Sequence, residues 1–318
     1  MEKIIDIKIY VVTILIISFC CFIYIEKIEL NCKECMNGKV NHSLKLNGSA
    51  HSFMKSYKIA SSEETIKEIV EQKKSIARFG DGEFRLIFGK NIGFQRYNKT
   101  LKDKLLVVLK SSLSNLLVAI FKIEECKHKR YWNRLVERYK LTFEKILDKH
   151  KIYYSSFITR LFSLKKYINL DKYINQFKMI WNNRDILIIE GEKSRIGIGN
   201  DLFKNSKSIK RIIGPIKNSF NAYDKILTSF KKLEIEKNTL ILIALGPTAT
   251  VLAYDFAKMG YQAIDIGHLD IQYEYYIRNV TKPIKIQNKY VNEVRGGRKN
   301  ITPVADKNYY KQILVRIS

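Results

Sequence analysis

Short apolar runs of strand length alternate with polar turns and with stretches of helical spacing along most of this chain. The strand-length runs lie at Ser75–Phe79, Asp185–Glu190, Ser208–Ile213, Thr239–Leu245 and Ala263–Ile266. Ser61 and Glu64 have the spacing of a capping box at the start of a helix. Residues 101–183 show mainly helical spacing of apolar positions. The pattern therefore predicts an α/β fold, a Rossmann-like and mostly parallel sheet with a helical insertion.

The last two of these runs flank a predicted helix. Gly246-Pro247 ends the first run, and Thr248 offers an N-cap hydroxyl for a helix that reaches about Met259. Gly260 is well suited to the position just after the last residue of this helix. A strand, a helix and a second strand in this order form a parallel βαβ unit. Ligands of such sheets bind at the carboxyl ends of the strands.

The N-terminal pattern differs from the rest of the chain. Ile9–Ile25 contains no charged residue and would form a helix of about 25 Å, against a bilayer core of about 30 Å. A cleaved signal peptide is the alternative, but Tyr24–Lys27 lacks a small-residue cleavage site. We therefore expect an uncleaved single-pass membrane anchor over residues 1–28, a stem over residues 29–60 and the globular domain over residues 61–318.

The orientation of this anchor in the lipid bilayer stays open, because lysines flank both of its ends. An anchor, a stem and a catalytic domain would form a Golgi type II arrangement in a eukaryote. In a bacterium the domain would lie on the cytoplasmic side of the inner membrane, because the supply of sugar donors requires it to face the cytoplasm.

The net charge of the chain narrows the range of molecules that it is expected to bind. The chain has 57 Lys and Arg against 31 Asp and Glu, a formal net charge of +26. This balance favours nucleotide diphosphates, nucleic acid or acidic lipids, although a compositional bias toward lysine would have the same effect. The lysines are spread along the chain, without zinc-finger spacing or an aromatic RNA-binding block, which weighs against nucleic acid.

Acidic residues and glycines follow the predicted strands. Arg78 ends one strand, and Gly80, Asp81 and Glu83 come directly after it. Two carboxylates one residue apart can hold a divalent cation or bind the hydroxyls of a sugar. Gly80 would allow the backbone to approach a ligand closely. A solvated turn is the alternative interpretation.

Two further segments are candidates for binding phosphate. Backbone amides of the glycine-rich segment 194–201 could surround phosphate oxygens, with Arg195 as a forked counter-charge and Asn200 and Asp201 beside it. The segment lacks the pattern of a P-loop. The helix start at Gly246 and Thr248 also favours an anion, unless Thr248 is only a cap.

His268, Asp270, Gln272 and Glu274 follow the last strand at every second position. In an extended segment these four side chains would lie on one face. Asp270 and Gln272 are candidate ligands of Mg²⁺ or Mn²⁺ through their oxygens. Glu274 is the candidate general base, and His268 could orient a diphosphate or share that role. A loop histidine bonded to backbone is the alternative for His268.

Several blocks together resemble one family. They are SIARFGDGEFRLIFG at residues 75–89, FITR at 157–160, IIEGEKSRIGIGNDLF at 188–203, RIIGPIKNSFNAYDKIL at 211–227, GPTATVLAYDFAKMGYQAIDIGHLDIQYEYY at 246–276 and KYVNEV at 289–294. In their order and spacing they resemble the GT-D-type glycosyltransferase domain, a family first catalogued as a domain of unknown function. The family commonly has Asp-x-Glu where this chain has Asp270-Ile271-Gln272, so the second metal ligand is here an uncharged amide.

The resemblance implies a glycosyltransferase that moves a hexose from a nucleotide-diphosphate sugar, in particular a UDP-sugar, to a glycan or glycoconjugate. The expected donor-binding residues are Arg78, Gly80, Asp81, Glu83, Arg195, Asn200, Asp201, Gly246 and Thr248, with a divalent cation at Asp270 and Gln272. Gln272 also motivates a second hypothesis, a catalytically impaired, membrane-tethered protein that binds carbohydrate or nucleotide. A third hypothesis is a basic protein that binds nucleic acid.

Overall fold

The computed structural model describes residues 50–317 except residues 127, 165 and 167. The predicted anchor and most of the predicted stem lie outside this part of the chain. The folded unit includes Ala50–Lys55 and Lys58–Ile59, a helix and a strand at the end of the predicted stem. No helix within the described residues has both the length and the apolar character needed to cross a membrane.

One sheet organises the domain. Its nine strands are β1 (Lys58–Ile59), β2 (Ser75–Arg78), β3 (Leu116–Ile120), β4 (Ile152–Ser155), β5 (Asp185–Gly191), β6 (Ser208–Gly214), β7 (Leu240–Ala244), β8 (Ala263–Asp265) and β9 (Ile313–Arg316). They are ordered β1-β4-β3-β2-β8-β7-β5-β6-β9, and every pairing is parallel. All carboxyl ends therefore meet at one edge of the sheet.

Helices cover this sheet. They are α1 (Ala50–Lys55), α2 (Ser62–Glu71), α3 (Asp81–Ile87), α4 (Lys99–Lys110), α5 (Lys129–Ile146), α6 (Leu161–Leu164), α7 (Leu170–Lys178), α8 (Tyr223–Lys232), α9 (Pro247–Lys258), α10 (Leu269–Ile277) and α11 (Lys307–Lys311). Short 3₁₀ turns lie at Ile123–Glu125, Ser156–Thr159, Met179–Trp181 and Ser219–Ala222. Helix α2 has the predicted capping box, in which the Ser61 hydroxyl and the Glu64 carboxylate accept each other's backbone amides.

The α/β prediction is confirmed, with a sheet that is wholly parallel. The five predicted strands correspond to β2, β5, β6, β7 and β8 to within one or two residues. Strand β7 lies inside the sheet, between β8 and β5, and is buried along nearly its whole length. Such a strand is read from sequence as a continuous apolar run, which is why β7 was predictable.

The predicted helical insertion is wrong in part. Residues 101–183 contain helices, but they also contain β3 and β4, which extend the sheet beyond β2. All five residues of β3 are buried, so its run LLVAI has no period of two that would separate a strand from a helix. The region is therefore part of the sheet and not an insertion beside it.

Candidate active site

Several strand ends open into one cavity at the carboxyl edge of the sheet. The cavity has a volume of about 1010 Å³, large for a small-molecule site. Residues at or just after the ends of β2, β4, β5, β6, β7 and β8 line it, namely Gly80, Ser156, Gly191, Pro215, Gly246 and His268. This is the edge at which open parallel sheets bind ligands.

The turn from β2 into α3 supplies carboxylates to the cavity wall. Helix α3 has Gly80 as its N-cap, and Glu83 Oε2 accepts a hydrogen bond from the Gly80 amide at 2.8 Å. Burial, reinforced by the neighbouring Asp265 carboxylate, raises the pKa of Glu83 to about 7. Asp81 Oδ2 accepts a hydrogen bond from the Tyr131 hydroxyl at 2.9 Å. The structure thus brings Gly80, Asp81 and Glu83 together at the cavity, as the sequence predicted.

Arg78 lines the same cavity but binds mainly to the protein. Its Nη2 forms an ion pair with Asp265 Oδ1 at 3.0 Å, and its Nη1 donates to the Ser156 carbonyl and to Thr159 Oγ1. Gly267 makes room for it, because a Cβ at that residue would lie 2.1 Å from Arg78 Nη2. Arg78 therefore ties the carboxyl ends of β2, β4 and β8 together.

Arg160, Glu293 and His268 form a second charged group in the cavity. The Arg160 guanidinium pairs with the Glu293 carboxylate. Burial and the positive charge of Arg160 lower the pKa of His268 to about 4, so its imidazole is neutral at pH 7. Burial alone would raise the pKa of Glu293, but the positive charge of Arg160 and its hydrogen bond to the carboxylate bring the pKa below its usual value. The cavity thus places an ionised carboxylate and a neutral imidazole beside a guanidinium.

The polar row after β8 is helical and not extended, which corrects the prediction that its four side chains share one face. In α10 residues four apart lie on the same side, whereas residues two apart do not. His268, Asp270 and Gln272 line the cavity, whereas Glu274 does not, and the Asp270 and Glu274 carboxylates both lie against Lys289. The sequence concealed the helix because α10 is buried around its circumference and has no polar face.

Asp270 and Glu274 belong to a buried charge network. Lys289 Nζ lies 2.6 Å from Asp270 Oδ2 and 3.1 Å from Glu274 Oε1. Asn200 Nδ2 donates to both carboxylates, and Arg278 pairs with Glu274 at 3.0 Å. Glu274, predicted as the general base, is 1% exposed and is not among the residues that line the cavity. Its position indicates a structural partner of these basic side chains.

Asp270 and Gln272 do not fit a divalent cation. Asp270 Oδ1 accepts the Gly197 amide at 2.8 Å, and its other oxygen faces Lys289. Gln272 Oε1 accepts the Phe162 amide at 3.0 Å, on another side of α10. Mg²⁺ and Mn²⁺ need several oxygens converging on one point. Within the described part of the chain, no group of three or more His, Cys, Asp or Glu residues is arranged to hold a metal.

The glycine-rich loop after β5 contacts α10, and three of its predicted binding residues do not line the cavity. Arg195 Nη1 donates to the Asn288 carbonyl at 2.8 Å, and Asn200 donates to the buried carboxylates of α10. Asp201 accepts a hydrogen bond from the Tyr273 hydroxyl at 2.7 Å. The structure therefore places these three side chains against other parts of the protein and not in the cavity, and their role in binding phosphate stays a prediction.

The start of α9 differs from the prediction in its cap. Helix α9 begins at Pro247 with Gly246 as its N-cap, so Thr248 lies inside the first turn. Thr248 is fully buried, and its hydroxyl has no hydrogen-bond partner among the described residues. Gly246 lines the cavity with a φ of +56°, and a Cβ there would lie 2.6 Å from Phe94 Cε2. Of this pair only Gly246 reaches the predicted site.

An open parallel sheet with charged side chains around a crevice at its carboxyl edge is typical of α/β enzymes that bind nucleotides. Residues 76–294 match the family model described as glycosyltransferase GT-D fold. The chain belongs to this glycosyltransferase family, as the sequence blocks implied.

Two curated relatives agree with this assignment. The chain is 33% identical over 266 residues to glycosyltransferase GlyD of Streptococcus pneumoniae and 33% identical over 249 residues to the probable glycosyl transferase Gly of Streptococcus gordonii. These alignments cover 80% and 74% of this chain, but only 32% and 35% of the relatives. The chain therefore spans about a third of the length of these relatives.

Solved structures share the fold. One, described as the highly conserved domain of unknown function 1792 with a distinct glycosyltransferase fold, superposes with a TM-score of 0.77 at 35% identity, covering 85% of this chain and 99% of that chain. Another, described as a new glycosyltransferase (DUF1792) from Streptococcus sanguinis, has a TM-score of 0.76 at 30% identity, covering 82% of this chain and 100% of that chain.

Sequence reasoning missed several residues of the cavity and its support. Arg160 and Glu293 line the cavity, and Lys289 neutralises the carboxylates of α10. All three lie in the FITR and KYVNEV blocks that carry the family resemblance. The charged residues in those short blocks were the one sign in the sequence that these segments reach the site. The blocks show no regular spacing, so the sequence did not indicate which residues they contact.

Proposed function

We propose that this glycosyltransferase moves a hexose from a UDP-hexose to a hydroxyl group of a glycan or glycoconjugate. The observation that carries the proposal is the composition of the large cavity, which combines Arg85, Arg160 and Arg298 with the carboxylates of Asp81 and Glu83. Guanidinium groups bind the oxygens of a diphosphate as forked donors. Carboxylates accept hydrogen bonds from sugar hydroxyls.

The basic side chains act on the leaving group in this mechanism. The bond between the anomeric carbon and the diphosphate oxygen breaks, and negative charge grows on the departing UDP. Arg160 and Arg298 stabilise that charge, and neutral His268 donates a hydrogen bond without adding charge. Because Asp270 and Gln272 do not converge, no step of this mechanism passes through a divalent cation.

Glu83 is the general base in this proposal. An acceptor hydroxyl must lose its proton as it attacks the anomeric carbon, and a carboxylate with a pKa near the working pH serves best. The pKa of Glu83 is about 7, and the residue lines the cavity, unlike Glu274. Attack by the activated hydroxyl on the face opposite UDP forms the new glycosidic bond in a single displacement and inverts the anomeric configuration.

The substitution Glu83→Gln tests this assignment. We expect transfer to fall by about 10²–10⁴-fold, because the amide cannot take the proton, while UDP still binds in a calorimetric titration. Glu274→Gln is the matched control, since Glu274 lies outside the cavity, and its folded fraction should keep transferring sugar. Full transfer by the Glu83→Gln enzyme would refute the role of Glu83 as base.

A screen of UDP- and GDP-sugars tests the activity itself. The readout is release of UDP or GDP, measured by chromatography, with and without added Mn²⁺. Release from one UDP-hexose in preference to the others supports the proposal.

A second candidate function is favoured by one observation, the engagement of Gln272 by the Phe162 amide and by Glu293. A chain without a metal pair in its family position could be a catalytically impaired, membrane-tethered protein that binds carbohydrate or nucleotide. No release of UDP or GDP from any donor, at any concentration of Mn²⁺, would favour this second function.

We also propose that residues 1–28 hold the protein at a membrane, on the basis of their uncharged apolar run. The full chain should then remain in the membrane fraction after an alkaline carbonate wash and dissolve in detergent. Recovery of the full chain in the wash would overturn the anchor.

A further inference from the structure

A second cavity adjoins the candidate active site, and the inference drawn from it rests on the proposed transferase function. Its volume is about 560 Å³. Phe162 and Gln272 line both cavities. The two spaces therefore share a wall formed by α10 and the start of α6.

The lining of the second cavity differs in chemistry from that of the first. Leu170, Tyr275, Tyr276 and Ile277 give it an apolar and aromatic surface, and Asp171 adds a carboxylate. Among the described residues that line it, none is Lys or Arg. A diphosphate would find no counter-charge from these residues, whereas a neutral molecule with both apolar faces and hydroxyl groups would find partners for each.

The aromatic wall is held in a defined geometry. The Tyr275 hydroxyl donates to the Ile284 carbonyl at 3.0 Å. The Tyr275 ring packs edge-to-face against Phe162, with centroids 6.3 Å apart and an interplanar angle of 72°. Rings fixed in this way bind a ligand at a lower entropic cost than mobile side chains would.

Tyr276 and Asp171 form the polar element of the cavity. The Tyr276 hydroxyl donates to Asp171 Oδ1, and this hydrogen bond, followed by burial, raises the pKa of Tyr276 to about 12. Tyr276 therefore remains a neutral ring at physiological pH. Its half-buried face lies beside a carboxylate whose side chain is exposed to solvent.

We propose that the second cavity binds a neutral sugar unit of the acceptor glycan. The C–H face of the sugar ring packs against Tyr276, and the Asp171 carboxylate accepts hydrogen bonds from ring hydroxyls. The reactive hydroxyl of the acceptor then reaches the first cavity past Gln272. An alkyl chain would use the aromatic surface but would leave the Asp171 carboxylate without a new partner, so a sugar is the occupant that uses both.

The test measures binding of neutral disaccharides in the presence of UDP. Cellobiose, maltose, lactose and N,N′-diacetylchitobiose are titrated at millimolar concentration and followed by saturation-transfer difference NMR. We expect at least one of them to bind the wild-type chain and to bind Tyr276→Ala and Asp171→Asn about tenfold more weakly, the effect of losing one stacking contact or one charged hydrogen bond. The affinity for UDP should stay unchanged.

Tyr310→Ala is the matched control. Tyr310 is a partly exposed tyrosine whose hydroxyl also bonds to an oxygen of the protein, the Val304 carbonyl, but it does not line either cavity. Its substitution should leave disaccharide binding at the wild-type level. A loss of the same size in this control would show a general effect of removing a tyrosine and would overturn the proposal.

Three other outcomes would also overturn it. The first is equal binding of a disaccharide to the wild-type chain and to both variants. The second is binding of dodecyl maltoside but not of maltose, which would assign the cavity to an alkyl chain. The third is no binding of any disaccharide to the wild-type chain. Release of UDP from a UDP-hexose into water, assayed without acceptor, reports separately on the proposed transferase function.

Discussion

At the scale of single residues, Glu83 links pH to both stability and activity. Its carboxyl has a pKa of about 7 in the folded chain against an ordinary value of 4.5, so the folded state holds an extra proton between these two pH values. Stability must then fall as pH rises through this window, by on the order of 1–3 kcal/mol. The ionised fraction of Glu83, which can take a proton from the acceptor, must rise over the same pH window.

We therefore expect opposite pH profiles for the wild-type chain. Thermal denaturation should show a falling melting temperature between pH 4.5 and 7, while the transfer rate increases toward a plateau above this range. In Glu83→Gln the contribution of this group to the stability profile should disappear. A transfer rate that is flat across neutral pH would contradict the assignment of Glu83 as base.

Lys289 carries a second prediction at this scale. It is 4% exposed and neutralises two buried carboxylates, so Lys289→Met leaves both without their shared cation. Removing one partner of a buried ion pair costs about 3–5 kcal/mol, measured here as a loss of unfolding free energy in urea. Adding Asp270→Asn and Glu274→Gln should restore part of the loss. Lys299→Met, at an exposed lysine, should change stability little.

At the scale of elements, the contact between the ends of β2 and β8 depends on a missing side chain. Gly267 has a φ of +44°, and a Cβ there would meet the Arg78 guanidinium. Gly260 has a φ of +84° with nothing within 4 Å of a Cβ, so it isolates the cost of the backbone conformation.

The pair of substitutions separates these two effects. Gly260→Ala should cost about 1–2 kcal/mol for the left-handed backbone alone. Gly267→Ala should cost about 2–3 kcal/mol more, because Arg78 must also move away from Asp265. Both values come from urea unfolding curves. Equal costs would mean that Arg78 adapts to the added methyl group without losing its contacts.

Which elements were predictable follows from how each is buried. The runs of β5 and β7 are apolar along most of their length and are bounded by polar or glycine turns, so the sequence identified them. Strand β3 is equally apolar, but the segments on either side of it have helical spacing. The sequence therefore predicted a helix where the structure has this strand. Helix α10 is buried on all sides, so its alternating polar residues suggested a strand. A buried element is therefore identified from sequence only where turns bound its apolar run on both sides, as they do for β5 and β7.

At the scale of the whole molecule, the site depends on which segments the topology brings together. The turn at Asp81 and Glu83 was predictable because both residues follow a strand directly. Arg160 and Glu293 are separated by 133 residues, and they meet only because β4 lies near β2 and the chain returns to the cavity after α10. The place of Arg195 outside the cavity could not be predicted, because its side chain binds the carbonyl of Asn288, which is far away in the sequence.

The excess of basic residues predicts different salt sensitivities for the two cavities. A net charge of +26 creates a positive potential that attracts an anion such as UDP and is screened by salt. The affinity for UDP, measured calorimetrically, should therefore fall severalfold between low and high ionic strength. A neutral disaccharide feels no such attraction, so its affinity should stay nearly constant over the same range.

Replacing the exposed Lys299 by Glu should reduce the salt dependence of UDP binding only slightly, whereas Arg160→Gln should weaken UDP binding at every ionic strength. Equal salt sensitivity of both ligands would show that UDP is not held by the charged groups of the first cavity.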